Sequence, residues 1–454
     1  MRIDALVAEI GSTTTIVNAF MLDPKCPEFL GQGVAPTSVA DGDVAIGLNL
    51  AKTDLKRNLK LDALEYDRFL ATSSAAGGLR MTVHGLVYDM TVKAGQEAAL
   101  GAGANIVLAT AGKISKYDLH SIKQASPNLI LLSGGTDYGD KEIALQNCEL
   151  LLQLEELPPV IYCGNIQNQK AIKGMFEDAK RKLYITENVY PRLDELNIEP
   201  VKKLIHQAFE EHIVHAPGME NIRKVVNGSI IPTPGAVMQA AQVLHNVIGD
   251  LMVIDIGGAT TDIHSVTKGN DDIAEFQIAP EPMAKRTVEG DLGLFINAKV
   301  LAEIVGHKEL SEEIGHDCQS VLSGLPAVPK TVEQLNLVHT LSFHAGKNAL
   351  TRHAGRITHS YTPKGRKAHV FGKDLTAVKH LIATGGALTR LPKSSEIMKK
   401  LANFNSNSSI LLPKENTLKI LTDSKYIMAS IGVLSKEFPE AARALLKKYV
   451  NELS

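Results

Sequence analysis

The chain has 454 residues, 44% hydrophobic and 22% charged, with Phe 11, Tyr 10 and no Trp. At about 100–200 residues per domain this length suggests two to four domains. Lys plus Arg is 48 against 50 for Asp plus Glu, a formal charge of -2. That balance excludes the basic excess of a non-specific nucleic-acid binder, and the aromatics supply no stacking platform.

The first apolar run, Leu6–Ile10, carries Glu9 near its end and leads into Gly11-Ser12-Thr13-Thr14. It reads as a strand of the fold and not as a secretion signal. No run approaches the roughly 20 apolar residues of a membrane span, and no pair among Cys26, Cys148, Cys163 and Cys318 has metal-binding spacing. A cytoplasmic protein with free thiols is expected. The small, Gly-rich stretch Ala71–Arg80 reads as a partner-facing loop, a flap or a packed turn. A second strand-like run, Leu129–Leu132, ends in Ser133-Gly134-Gly135. His212 and His215 read as a solvated helix end, for want of a third ligand. Pro232-Thr233-Pro234-Gly235 breaks the chain ahead of a helix over 236–244.

A third strand, Leu251–Ile256, carries Asp255 and runs into Gly257-Gly258-Ala259-Thr260-Thr261-Asp262. Glu289-Gly290-Asp291-Leu292-Gly293 is expected to open a helix that runs through Leu301. The basic stretch 347–367 reads as a solvated face or a nucleotide contact. A fourth strand, Leu381–Thr384, ends in Gly385-Gly386-Ala387. The 426–434 segment reads as a helix whose small residues permit close approach to the 236–244 helix, and 440–453 as a tail helix.

The first run resembles the third and the second resembles the fourth, at offsets of 246 and 251 residues. This pattern predicts an α/β protein made by duplication. The expected divisions are 1–235, 236–435 and a C-terminal helix over 436–454. Strands that end in Gly and hydroxyl loops aim several backbone N–H groups one way and can cradle phosphate. A carboxylate at each strand end can hold Mg2+ through water or orient an attacking water. Candidate nucleotide-binding residues are therefore Gly11, Ser12, Thr13, Thr14, Gly257, Gly258, Ala259, Thr260 and Thr261. Glu9 and Asp255 are candidate catalytic and metal-binding residues. Gly385, Gly386 and Ala387 leave room for an adenosine. Neither a P-loop nor a Rossmann glycine signature occurs at these strand ends.

The paired loops and the Gly-Gly site resemble the phosphate and adenosine motifs of the actin, Hsp70 and sugar-kinase ATPase superfamily. The resemblance implies two actin-like (ribonuclease H-like) ATPase domains around a nucleotide cleft, with Asp262 supporting the loop or the metal. Glu9 stands where that superfamily usually has Asp. Over its whole length the chain is similar to the accessory-protein family of adenosylcobalamin-dependent glutamate mutase, the MutL accessory proteins, which are unrelated to mismatch-repair MutL. The strings that carry this are 7–15, 71–80, 131–137, 254–262 and 286–293. The resemblance implies ATP and Mg2+ as ligands, mutase subunits as partners, and adenosylcobalamin as the partner's coenzyme. The implied role is an ATP-driven chaperone or reactivase that exchanges damaged cobalamin. A small-molecule kinase of the same fold is the alternative. A filament protein, and an iron–sulfur activator using Cys163, are further readings of the residues.

Overall fold

The computed structural model describes residues 2–11, 13–38, 43–74, 79–213, 225–228, 230–362, 365–405 and 407–453. Near-continuous apolar runs form strands buried on both faces, and the Gly- and Pro-rich stretches between them form the turns. Arg2–Ile10 (β1), Thr14–Met21 (β2) and Glu28–Pro36 (β3) make an antiparallel meander. Glu65–Ser73 (β4) joins β1 in parallel, and later in the chain Ile230–Pro232 pairs in parallel with β4.

A third sheet lies between them in sequence. Its strands are Arg80–Gly85 (β5), Asn105–Ala111 (β6), Leu129–Leu132 (β7), Val160–Tyr162 (β8) and Leu183–Ile185 (β9), in the order β6-β5-β7-β8-β9 and all parallel. Counted within this unit the order is 2-1-3-4-5, that of a doubly wound sheet. The strand at 230–232 is β10, so the first sheet reads β3-β2-β1-β4-β10.

The second half repeats that plan. Leu251–Ile256 (β11), Thr261–Val266 (β12) and Ala284–Glu289 (β13) form an antiparallel meander. The hairpin Arg356–Thr362 (β14) and Gly365–Phe371 (β15) follows. His380–Thr384 (β16) pairs in parallel with β11, and Lys419–Asp423 (β17) with β16. The order β13-β12-β11-β16-β17 matches the first sheet strand for strand, with Val450–Glu452 (β18) added at the edge. Duplication of an actin-like α/β domain is thus read directly from strand order and direction.

One expected pairing is corrected. The run ending in Gly134-Gly135 is β7 of the inserted parallel sheet and has no counterpart among the described residues of the second half. The partner of β16 is β4, and Gly77 and Gly78, which follow it in sequence, lie outside the described residues. Both runs are short and apolar before glycines, so composition could not tell a duplicated strand from an inserted one.

Helix Thr233–Ile248, after β10, and helix Met428–Leu434, after β17, occupy matching places. They cross in contact. A Cβ on Gly432 would overlap the Ala236 backbone carbonyl, so a side chain there would force the helices apart. They lie in an apolar core shared by both halves, with Ala5 and Val7 of β1, Leu251 and Val253 of β11, and Leu445 and Leu446 of helix Pro439–Tyr449. Each large aliphatic side chain buried there contributes about 1.5–3 kcal/mol. The tail helix ends at Tyr449 and turns into β18, shorter than expected. No helix among the described residues is long and apolar enough to cross a membrane.

Candidate functional site

The β1–β2 and β11–β12 turns are built alike. Gly11 N–H donates to Thr14 O at 3.0 Å, and Gly257 N–H donates to Thr260 O at 2.9 Å. Glu9 faces Ile16 in its ladder and Asp255 faces Asp262 in the other, preserving the 246-residue offset. The two turns approach one another: a Cβ on Gly258 would lie 3.7 Å from Thr13 Cγ2. Gly11, Thr13 and Thr14 on one side and Gly257, Gly258, Ala259 and Thr260 on the other are partly accessible, while Thr261 is buried and donates to Leu292 O. Ser12 lies outside the described residues.

Gly385 joins the fourth loop to the third. Its φ is +84°, and a Cβ would overlap Asp255 Oδ1 and come within 2.7 Å of Ile256 N. Only glycine permits this approach. Gly386 borders open space, and Ala387 packs into the core behind it. The structure therefore brings the two turns and the Gly-Gly loop close together.

Four carboxylates meet there. Glu9 is buried, and burial pushes its carboxyl up to about 7. Asp255, enclosed on most sides but with one face accessible, is pushed up to about 8 by burial and then by the charges of Asp262 and Glu9. Burial also raises Asp423, although Ile427 and Met428 N–H and the Thr384 hydroxyl all donate to it. Asp262 is held differently. Its Oδ1 accepts from Arg286 Nε at 3.1 Å and Nη2 at 2.6 Å, and its Oδ2 accepts from Thr260 Oγ1. Its oxygens already have protein partners, which fits loop support better than metal ligation.

Among the described residues Glu9 Oε2 has no hydrogen-bond partner although it is buried. An orphaned carboxylate oxygen beside a partly open Asp255, where burial above all and then neighbouring carboxylates raise both pKa values, fits a hard divalent cation such as Mg2+. Glu9 and Asp255 could hold such an ion.

Other expectations are adjusted. Gly290–Leu292 is a short 3-10 turn, and the following helix starts only at Ala298. Asp291 and Glu289 both accept from Arg352, at 2.8 and 2.7 Å, so these acids are spent on an ion pair. The segment still serves the loop: Phe295 and Ile296 N–H both donate to Gly258 O, and a Cβ on Gly293 would overlap Ala259. The basic 347–367 stretch splits between the end of helix Val332–His353 and the β14–β15 hairpin. Cys163 is fully buried and its thiol is pushed up by burial, which does not suit a cluster ligand at a subunit surface. The side chains of His212 and His215 lie outside the described residues.

Sequence reasoning missed Tyr426, Asp423 and Arg286. Tyr426 Oη donates to Glu9 Oε1 at 2.9 Å from 417 positions away. No local motif marks such a contact. Asp423 had a faint signal, an acid ending an apolar strand as Asp255 nearly does. Arg286 donates to Leu100 O and Ala104 O as well as to Asp262, tying the second loop to the inserted unit.

Comparison with known proteins finds likenesses in structure and in sequence. Among solved structures, a nucleotide-free acetone carboxylase aligns with TM-score 0.40 at 10% identity, over 95% of this chain and 70% of that one. Xylulose kinase from Bifidobacterium adolescentis aligns at 0.31 and 12%, over 99% and 96%, and a glycerol dehydratase reactivase at 0.29 and 10%, over 95% and 99%. These scores are too low to carry weight, and the fold rests on the strand order above. The sequence likeness is far stronger: 34% identity over 464 positions, 98% of both chains, to Protein MutL of Clostridium tetanomorphum. The model of the family described as MutL protein matches residues 5–450, and the chain belongs to that family.

Proposed function

We propose that this MutL-family chain is a Mg2+-dependent ATPase that serves as a reactivating chaperone for an adenosylcobalamin-dependent mutase, glutamate mutase or a related aminomutase. The observation that carries the reading is the pair of turns closed by matching hydrogen bonds, which lie close together, with the carboxylates Glu9 and Asp255 on the strands before them and Gly385 packed against Asp255. In this reading the nucleotide lies between 1–235 and 236–435, with 436–454 packed back on the body. The Gly11 and Gly257 N–H groups close the two turns, and the other backbone N–H and hydroxyl groups of 11–14 and 257–261 hold phosphate oxygens, while Gly385, Gly386 and Ala387 pass beneath the adenosine.

Mg2+ bound by Glu9 and Asp255, partly through water, would neutralise phosphate charge. Asp255 is the group placed to orient a water, and its raised pKa suits a base working near neutral pH. Thr260 and Arg286 keep Asp262 turned away from that position. ATP and ADP bind the closed and open arrangements with different affinity, and the crossed helices transmit the difference to the bound mutase. Damaged cobalamin then leaves and intact coenzyme enters. The partner's coenzyme takes no part in this chain's own chemistry.

The test is ATP hydrolysis by the purified protein with hydroxocobalamin-inactivated glutamate mutase, read together with the return of mutase activity on adding adenosylcobalamin. ATP-dependent recovery that is lost in Asp255→Ala is the expected result. Tight ATP binding without recovery points to another aminomutase or to phosphoryl transfer onto a small molecule. Absence of ATP binding overturns the reading.

A further inference from the structure

Glu9 and Tyr426 come from opposite halves of the duplication. Tyr426 occupies one oxygen of Glu9, at 2.9 Å, and leaves the other buried with no partner among the described residues. The tyrosine is itself fixed. Its φ is +53°, its N–H donates to Asp423 O at 2.9 Å, and the Arg390 guanidinium lies 5.2 Å from its ring centroid. Arg390 returns to the first half by donating to Gln32 at 2.7 Å. Gln32 donates to Asn18 at 2.8 Å, and Asn18 donates to Ser430, beyond Tyr426, at 2.9 Å. Polar contacts thus close a ring across the two halves. The second half has Asp255 where the first has Glu9, and an aspartate at position 9 would fall about 1.5 Å, one carbon–carbon bond, short of the hydroxyl.

We infer that Tyr426 is a positioning residue for Glu9. Its hydroxyl fixes one carboxylate oxygen so that the other is presented to a phosphate-bound cation. Because the hydroxyl is supplied by the second half, that presentation holds only while the halves stand closed on one another. The length of Glu9 is then a cross-half measuring device. The inference rests on the reading of the cleft as a Mg2+-nucleotide site.

The test is a double-mutant cycle in the full chain with Tyr426→Phe, Glu9→Asp and the pair. It is read by Mg2+-ADP affinity in calorimetry and by the Mg2+ concentration that half-saturates ATP turnover. Each single change is expected to weaken Mg2+-ADP binding about 10- to 100-fold, the worth of a hydrogen bond to a charged group. Each should also raise the Mg2+ requirement. The double change should be no worse than the worse single, because both remove one contact. Tyr449→Phe, which removes the Phe29 N–H to Tyr449 Oη bond of 3.3 Å far from the turns, should leave both readouts unchanged. Wild-type values for Tyr426→Phe, additive losses in the pair, or an equal loss in Tyr449→Phe would overturn the inference. A wild-type chain that binds no Mg2+-nucleotide overturns the cleft reading and this inference together. A binding wild type with an additive cycle overturns the inference alone.

Discussion

The two equivalent turns differ in where their carboxylates find support. Asp255 is short and packs within its own half, against a glycine at +84° whose missing side chain makes the space. Glu9 is one methylene longer and is supported from the other half by Tyr426. A duplicated scaffold has thus kept its backbone geometry while dividing the work. One carboxylate is packed against a glycine of its own half, and the other takes its hydrogen bond from the opposite half. The same asymmetry holds at larger scale. The first half carries an inserted parallel sheet between β4 and β10, while the second fills the space after β13 with helices.

The strongest way to break this comparison is to neutralise each carboxylate in turn. Asp255→Asn is expected to lower ATP turnover by about 10²–10⁴-fold, the usual contribution of a positioned acid–base group. Glu9→Gln should act mainly through the Mg2+ requirement. Equal losses of turnover in steady-state assays would mean that the turns are interchangeable.

Next in size is the crossing of the two equivalent helices. Gly432→Ala inserts a methyl group into the Ala236 carbonyl and is expected to cost about 1–3 kcal/mol or more in chemical denaturation. A neutral result would show that the helices already have room to slide.

A finer contrast lies in the turns themselves. An added Cβ at Gly11 would sit 2.7 Å from Thr14 O, but at Gly257 it would sit 3.3 Å from Thr260 O. Gly11→Ala should therefore lower stability more than Gly257→Ala, by about 1 kcal/mol. Reversal of that order in parallel melts would mean that the second turn is the more constrained.

The remaining contrast is a slope with pH. Glu9 and Asp255 have folded-state pKa values of about 7 and about 8, above their ordinary 4.5 and 3.8. Folding therefore retains protons that the unfolded chain releases. The stability contributed is full below about pH 4 and is lost as pH rises through 7 and 8. Denaturant midpoints without Mg2+ should fall between pH 5 and pH 8. Glu9→Gln should flatten the lower part of that fall and Asp255→Asn the upper part, while Mg2+ with nucleotide should reduce the slope in the wild type. A midpoint that rises over this interval contradicts the assignment.

Much of the site was legible because its chemistry is local. A strand, a carboxylate, glycines and hydroxyls within ten residues determine a phosphate-type turn, and both turns formed at the expected positions. The crossing helices were legible for a related reason, since Ala236 and Gly432 are small where backbones must meet. The sequence was misleading at Gly134-Gly135, because a glycine pair after an apolar strand is the punctuation of any parallel α/β unit. It was misleading again at Glu289 and Asp291, where acids that resembled a helix start are held by Arg352 from more than sixty positions away.

By itself, then, the sequence determined the α/β class, the internal duplication, the two carboxylate turns and the Gly385-Gly386 strand end. These depend on backbone conformations and short spacings that residue types dictate directly. Tertiary structure alone decided which strands are equivalent, that Arg286 and Thr260 donate to Asp262, and that Tyr426 reaches Glu9. Those choices depend on which distant side chains the packed sheets bring within hydrogen-bond range. Contacts across 417 positions leave no periodicity or spacing in the chain to read.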